Sequence, residues 1–172
     1  KVGLIFGGNS SEYEVSIMSA HNIYEEIDTN KFDVYPMWIT NDGYLANDAD
    51  SRKVLDNPKM EVANPHKVAN ISNIVELKDR PEIDVFFPIV HGNLGEDGCL
   101  QGLFRVLDKP FVGDDVLAAA VTMDKEMTKI LAQRAGVPVA KWIAVKRFEY
   151  NDPDNNKLDY EYVASQLGSD LF

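Results

Sequence analysis

Long apolar runs, clustered basic charge, cysteine and ordered histidines are what this 172-residue chain has least of. No apolar run approaches the roughly eighteen residues that cross a bilayer, so a helical membrane span is excluded, and no signal peptide is expected ahead of the first strand. Lys and Arg number 17 against 28 Asp and Glu, a net charge of −11. Nowhere do the cations form a stripe. Nucleic acid is thereby excluded as a partner, because binding its phosphates needs clustered Lys and Arg. A nucleotide stays open, since local backbone N–H groups and one or two cations suffice for a phosphate. The single Cys99 rules out an internal disulfide framework, fits a reducing cytoplasm and reads as a small buried hydrophobe. His21, His66 and His91 lack metal-ligand spacing, and no nucleophile elbow in a Ser-His-Asp order is present.

What remains is an ordinary globular composition, 45% apolar and 10% aromatic, with enough length for one domain or one domain and part of a second. The apolar run at 2–6 suits a central strand of a parallel sheet. It enters Gly7-Gly8-Asn9-Ser10-Ser11-Glu12, where Ser10 or Ser11 can cap a helix and Glu14 can complete a capping box. Val15, Ile17, Met18, Ile23 and Ile27 then place an apolar stripe on a helix of three to four turns. Residues 32–40 read as a second strand, followed by the Asn41-Asp42-Gly43 turn and Tyr44-Leu45. The stretch 46–73 is polar and irregular, with one short helix near 51–55. An edge strand is expected at 74–77, a buried strand at 85–90, a helix at 100–107 and a brief strand at 110–113. The first 113 residues therefore read as a mostly parallel α/β domain. Beyond it come one long helix over 116–135 ended by Gly136, a strand at 139–145, a turn-rich loop at 151–156 and a helix at 160–167. A strand begins at 168, from which a fragment of a longer chain is expected.

The stretch from Ile89 to Gly102 organises the rest. A buried strand spills His91, Glu96 and Asp97 into a glycine-rich turn before a helix, which is where open α/β sheets place ligands. The Gly7-Gly8 loop is a poor match to G-x-G-x-x-G and serves equally as a plain strand-to-helix turn. Yet Glu12 sits near a helix N-terminus and projects toward the same crevice. Two strand ends of one parallel sheet face one edge, so Glu12 and His91 are expected to converge. An acid beside a histidine held by Glu96 makes a cradle for a substrate ammonium. Lys125 alone reads as a solvated helix lysine.

Gly7-Gly8-Asn9-Ser10-Ser11-Glu12-Tyr13-Glu14-Val15-Ser16 resembles the GG-x-S-x-E-x-E-V-S motif of the D-alanine-D-alanine ligases. His91-Gly92 through Gly95-Glu96-Asp97-Gly98 and Gln101-Gly102 resembles that family's HG-x-x-GEDG-x-x-QG motif. Pro110-Phe111-Val112-Gly113 and Met123-Asp124-Lys125 are similar to the segments that close its N-terminal domain and enter its ATP-grasp domain. The resemblance runs in order along nearly the whole chain. It departs at Tyr13, where members often carry His or Arg, and at Arg105, where many carry Glu.

The resemblance implies a Rossmann-like pre-ATP-grasp domain over 1–113 and the start of an ATP-grasp α+β domain over 114–172. It implies an enzyme that joins two D-alanines for peptidoglycan precursors: ATP phosphorylates the first carboxylate, and the second amine attacks the acylphosphate. Glu12 and His91 would hold the first D-alanine's ammonium, Glu96 would orient His91, and Val15 with Ser16 would shape the pocket. Lys125 would contact ATP phosphates. The Mg ligands and the oxyanion-stabilising Arg are expected beyond residue 172, so this piece alone is expected to be inactive. A homodimer in the cytoplasm is also implied. D-alanyl-D-lactate and D-alanyl-D-serine ligases, and a non-catalytic α/β binding module, are the alternatives.

Overall fold

A computed structural model describes residues 1–70, 83–150 and 159–168. An interior strand, β1 (Val2–Gly7), is buried along its whole length, as befits a strand with neighbours on both edges. Two parallel partners flank it, β2 (Val34–Ile39) and β5 (Val85–Pro88). The short strands β3 (Tyr44–Ala46) and β4 (Lys67–Asn70) extend the sheet in antiparallel sense, giving the order β4-β3-β2-β1-β5. The sheet is therefore mixed, where mostly parallel pairing was expected. The cause is the Asn41-Asp42-Gly43 turn. Gly43 at φ 83° and the Thr40 N–H bond to the Tyr44 carbonyl close a tight hairpin, and hairpins join only antiparallel strands.

Alternation along β1 divides the core. Ile5 packs with Met37, Phe86, Leu100 and Phe104 on one face, and Leu4 and Phe6 pack with Ile17, Ala20, Trp38 and Leu55 on the other. Helices α1 (Tyr13–Glu26) and α2 (Asp48–Asp56) supply the second group, and α3 (Cys99–Val106) supplies the first. Phe104 of α3 stacks on Phe86 of β5 with ring centroids 4.9 Å apart, so the helix after the glycine-rich turn is locked to the strand before it. Residues 110–113 contribute one bridge, Phe111 to Phe86, and not a strand.

The apolar stripe expected on α1 is corrected in part. Val15 is 54% exposed and Met18 39%, whereas Ser16, Ile17 and Ala20 are buried. The helix begins after Glu12, which takes the N-cap position without a side-chain cap bond, so neither Ser10 nor Ser11 caps it. Ser16 is buried because its hydroxyl bridges two strand ends. It accepts the Gly7 N–H at 2.8 Å and donates to the Ile89 carbonyl at 2.6 Å.

The helix expected over 116–135 is two helices, α4 (Val116–Met123) and α5 (Lys125–Arg134). Asp124, a poor residue for a helix interior, lies between them in an extended conformation, φ −82° and ψ 106°. The chain divides there into two compact units, Lys1–Asp124 and Lys125–Phe172. Within the second unit, Gly136 ends α5 at φ 79°, as its place in the sequence predicts. Residues 139–145 have no ladder partner among the described residues and form no strand. Lys129 of α5 instead reaches the Ala140 carbonyl and lies over the Trp142 ring. Helices α6 (Arg147–Tyr150) and α7 (Tyr160–Leu167) follow. The elements expected at 74–77, 151–156 and 169–172 lie outside the described residues. Among those described, no helix is long and apolar enough to cross a membrane.

Replacing Ser16 by Ala leaves the Gly7 N–H and the Ile89 carbonyl without their shared partner. The expected loss is about 1–3 kcal/mol of stability in the first unit. Native-state hydrogen exchange at the β1 amides measures it, and unchanged protection would refute the bridging role.

Candidate functional site

Both loops of the site leave the same sheet edge, and backbone geometry forces them together. Gly7 and Gly8 hold φ of 89° and 100°. A Cβ on Gly7 would meet the Ile39 carbonyl at 2.1 Å, and one on Gly8 would meet Val90 at 2.7 Å. Only glycine allows the first turn to lie this close to β2 and to the end of the β5 run. The Ser10 hydroxyl then donates to the His91 carbonyl at 2.8 Å, a direct tie between the two loops.

The second loop is held from within. Glu96 accepts the Gly92 N–H at 2.8 Å, and Gln101, buried in α3, donates to the Gly95 carbonyl at 2.9 Å. Leu94 holds φ 68°, an uncommon conformation outside glycine, and the Asp97 carboxylate accepts its N–H at 2.9 Å. Asp97 also accepts the Cys99 N–H at 3.0 Å. Burial pushes the Asp97 carboxyl up, but these N–H groups outweigh it and hold it below its ordinary value. Cys99 is exposed at the start of α3, not buried as expected, and the neighbouring Asp97 carboxylate pushes its thiol up and so keeps it protonated.

Glu12, His91 and Glu96 meet as the sequence implied. Each offers one ligating atom, and these atoms all lie within 4.8 Å of one another. Glu96 Oε1 stands 3.4 Å from His91 Nδ1, and Ser19 Oγ stands 3.1 Å from His91 Nε2. Two carboxylates and an imidazole suit a compact cation with several N–H donors. The imidazole makes them a poor match for magnesium, which takes oxygen ligands in a strict octahedron. Beside them lies a pocket of about 200 Å³, lined by His91, Glu96, Gln101, Val112, Asp114 and Thr122. A larger cavity of about 580 Å³ lies against Tyr13, Trp38, Met18 and Met60. No comparable convergence of ionisable groups occurs there among the described residues, so chemistry and not volume selects the site.

The remaining expected residues are placed as follows. Ser16 lies behind the site as the buried bridge, and Val15 is exposed on the first turn of α1. Lys125 is exposed at the start of α5, in the second unit. Tyr13 turns away from the cluster: its phenol accepts the Trp38 indole N–H at 2.8 Å, and burial pushes its pKa up despite that bond. Arg105 pairs with Asp115 at 3.1 Å on the surface. Ser19 was not singled out from the sequence, and Ser10 was expected only as a helix cap. The available signal was the spacing of Glu12, Ser16 and Ser19, four and three residues apart, which puts all three on one helix face.

A family profile described as D-ala D-ala ligase N-terminus matches residues 1–114. The chain is 98% identical over its whole length to a D-alanine-D-alanine ligase of Lactobacillus johnsonii, and 73% identical to one of Lactobacillus acidophilus. It covers 48% of each, so it spans about half the length of the curated relatives it matches. Among solved structures it is similar to the D-alanine-D-alanine ligase from Coxiella burnetii, with a TM-score of 0.73 and 30% identity over 97% of this chain and 50% of that one. It is also similar to the VanG D-Ala:D-Ser ligase from Enterococcus faecalis, with a TM-score of 0.69 and 40% identity over 86% of this chain and 45% of that one.

Gly95 and Gly102 give opposite expectations for one substitution. A Cβ on Gly95 would lie 2.0 Å from the Val90 carbonyl, whereas one on Gly102 in α3 meets nothing within 4 Å. Gly95→Ala should destabilise by about 1–3 kcal/mol, and Gly102→Ala should stabilise by up to about 1 kcal/mol. Denaturant unfolding of both variants checks this. The Asp97 contribution is present above the unfolded carboxyl value near 3.8 and is lost as pH falls through the lower folded one. Exchange at the Leu94 and Cys99 amides should therefore lose protection over that acid range, and Asp97→Asn should abolish the pH dependence.

Proposed function

The chain belongs to the D-alanine-D-alanine ligase family, and from that premise we propose that it supplies the first-substrate site of an ATP-dependent enzyme that joins two D-alanines. The observation that carries the reading is the meeting of Glu12, His91 and Glu96 within 4.8 Å. An α-ammonium placed there finds its acceptor in the Glu12 carboxylate from the first loop, with the imidazole from the second loop packed beside it. Glu12 neutralises its charge and keeps the amine protonated, so that it cannot act as a nucleophile in the wrong sense. Glu96 orients His91 and holds the turn through the Gly92 N–H. Ser16 shapes the pocket from behind by fixing the two strand ends, and Val15 borders it. The neighbouring volume of about 200 Å³ is below the roughly 300–1,000 Å³ of sites for drug-sized ligands, in keeping with a small amino acid.

ATP is the co-substrate, phosphorylating the carboxylate of the first D-alanine, which the amine of the second then attacks. Lys125 contacts the ATP phosphates in this reading. Its position at the first turn of α5 suits that role, because helix N-terminal N–H groups also favour anions. Residues 1–113 form the pre-ATP-grasp domain, and 114 onward begin the ATP-grasp domain. No step is assigned to magnesium, which the described residues do not fit. The whole protein acts as a cytoplasmic homodimer in this reading, as the sequence resemblance implied. D-alanine is favoured as second substrate over D-serine by the relatives at 98% and 73% identity, both named for D-alanine. Turnover of the full-length protein with D-alanine plus D-serine or D-lactate tests that choice.

Glu12→Gln in the full-length protein keeps the shape and removes the charge. A charged hydrogen bond contributes about 1.5–3 kcal/mol, so first-site affinity for D-alanine should fall about 10- to 100-fold. Initial-rate analysis separating the two D-alanine sites measures it. Unchanged first-site affinity would remove Glu12 from its role.

A further inference from the structure

His91 sits on a loop with its side chain 25% exposed, and two polar groups border its ring. They are unequal. Glu96 Oε1 lies 3.4 Å from Nδ1, beyond the usual 2.7–3.2 Å of an N–H···O bond, while Ser19 Oγ lies 3.1 Å from Nε2, within it. They also differ in what carries them. Glu96 belongs to the same turn as His91 and moves with it. Ser19 belongs to the body of α1, whose position is set by buried Ile17 and Ala20 and by the Ser16 bridge. The ring therefore has one anchor outside its own loop.

We infer that Ser19 is a positioning residue: its hydroxyl holds the Nε2 edge of His91 and thereby keeps the imidazole beside Glu12. This rests on the proposed first-substrate site and adds to it the group that orients its histidine. The chemistry is consistent. With Nδ1–H directed at the Glu96 carboxylate, Nε2 carries the lone pair, and the Ser19 hydroxyl donates into it. The Glu96 carboxylate, which can only accept, sets the tautomer, and the Ser19 contact fixes the ring orientation. Glu12, Ser16 and Ser19 then act from one face of α1: the first faces the substrate, the second joins the strands, and the third sets the histidine.

The test uses the full-length protein with Ser19→Ala, Ser19→Thr and Glu12→Gln. A neutral hydrogen bond contributes about 0.5–1.5 kcal/mol, so Ser19→Ala should raise the first-site KM for D-alanine about 2- to 10-fold, with kcat changed less. The Nε2 ¹⁵N shift of His91 should move toward that of an acceptor nitrogen with no hydrogen bond, because the hydroxyl that donates into its lone pair is gone. Ser19→Thr, which keeps the hydroxyl, should restore both. Unchanged ¹⁵N shifts and KM in Ser19→Ala, or equal losses in Ser19→Thr, would overturn the inference. If Glu12→Gln weakens the first site while Ser19→Ala does not, the positioning role falls and the ammonium site stands. If Glu12→Gln leaves the first site unchanged, that site falls, and the ¹⁵N response to Ser19→Ala still decides whether Ser19 holds the ring.

Discussion

One buried hydroxyl joins the two halves of the site. The Ser16 hydroxyl accepts a hydrogen bond from the Gly7 N–H and donates one to the Ile89 carbonyl, and it is fully buried. Gly7 ends β1, and Ile89 immediately follows β5. The sheet has already paired these strands, since the Ile89 N–H bonds to the Ile5 carbonyl. At their C-terminal ends the ladder stops, and the backbone groups there need another partner. Ser16 supplies it, so the chain leaves β1 toward Glu12 and leaves the β5 run toward His91 at a fixed separation. The Ser10 hydroxyl adds a second hydrogen-bonded tie, to the His91 carbonyl.

Around this bridge, rigidity comes from different physics on each side. The first loop is confined by close approach: Gly7 and Gly8 leave no room for a Cβ against β2 and Val90. The second is confined by a mesh of backbone bonds from Glu96, Asp97 and Gln101 and by the Phe86–Phe104 stack beneath it. The two departures from the family motifs fall outside both devices. Tyr13 is hydrogen-bonded to Trp38, and Arg105 makes an exposed pair with Asp115. Neither side chain takes part in the cluster.

The second unit is a different kind of object. Its helix α5 starts where Asp124 breaks the helical path, and most of its large apolar side chains, Met127, Ile130 and Leu131 among them, are substantially exposed. Lys125 opens this unit, so the proposal that it contacts ATP rests on family and helix position, whereas Glu12, His91 and Glu96 converge within the first unit.

Local chemistry alone was enough for much of this protein. Strand β1, helices α1 to α3, the glycine turns and the convergence of Glu12 with His91 follow from hydrophobic period, turn residues and the rule that parallel strands share one edge. Tertiary structure decided what depends on partners distant in sequence. The hairpin made the sheet mixed, and 139–145 have no ladder partner among the described residues. Burial at the strand ends made the Ser16 hydroxyl a bridge between them, and the reach of α1 across to the second loop brought Ser19 to His91. A hydroxyl has the same composition and spacing whether it caps, bridges or orients. Only the groups that folding brings within about 3 Å of it select among those roles.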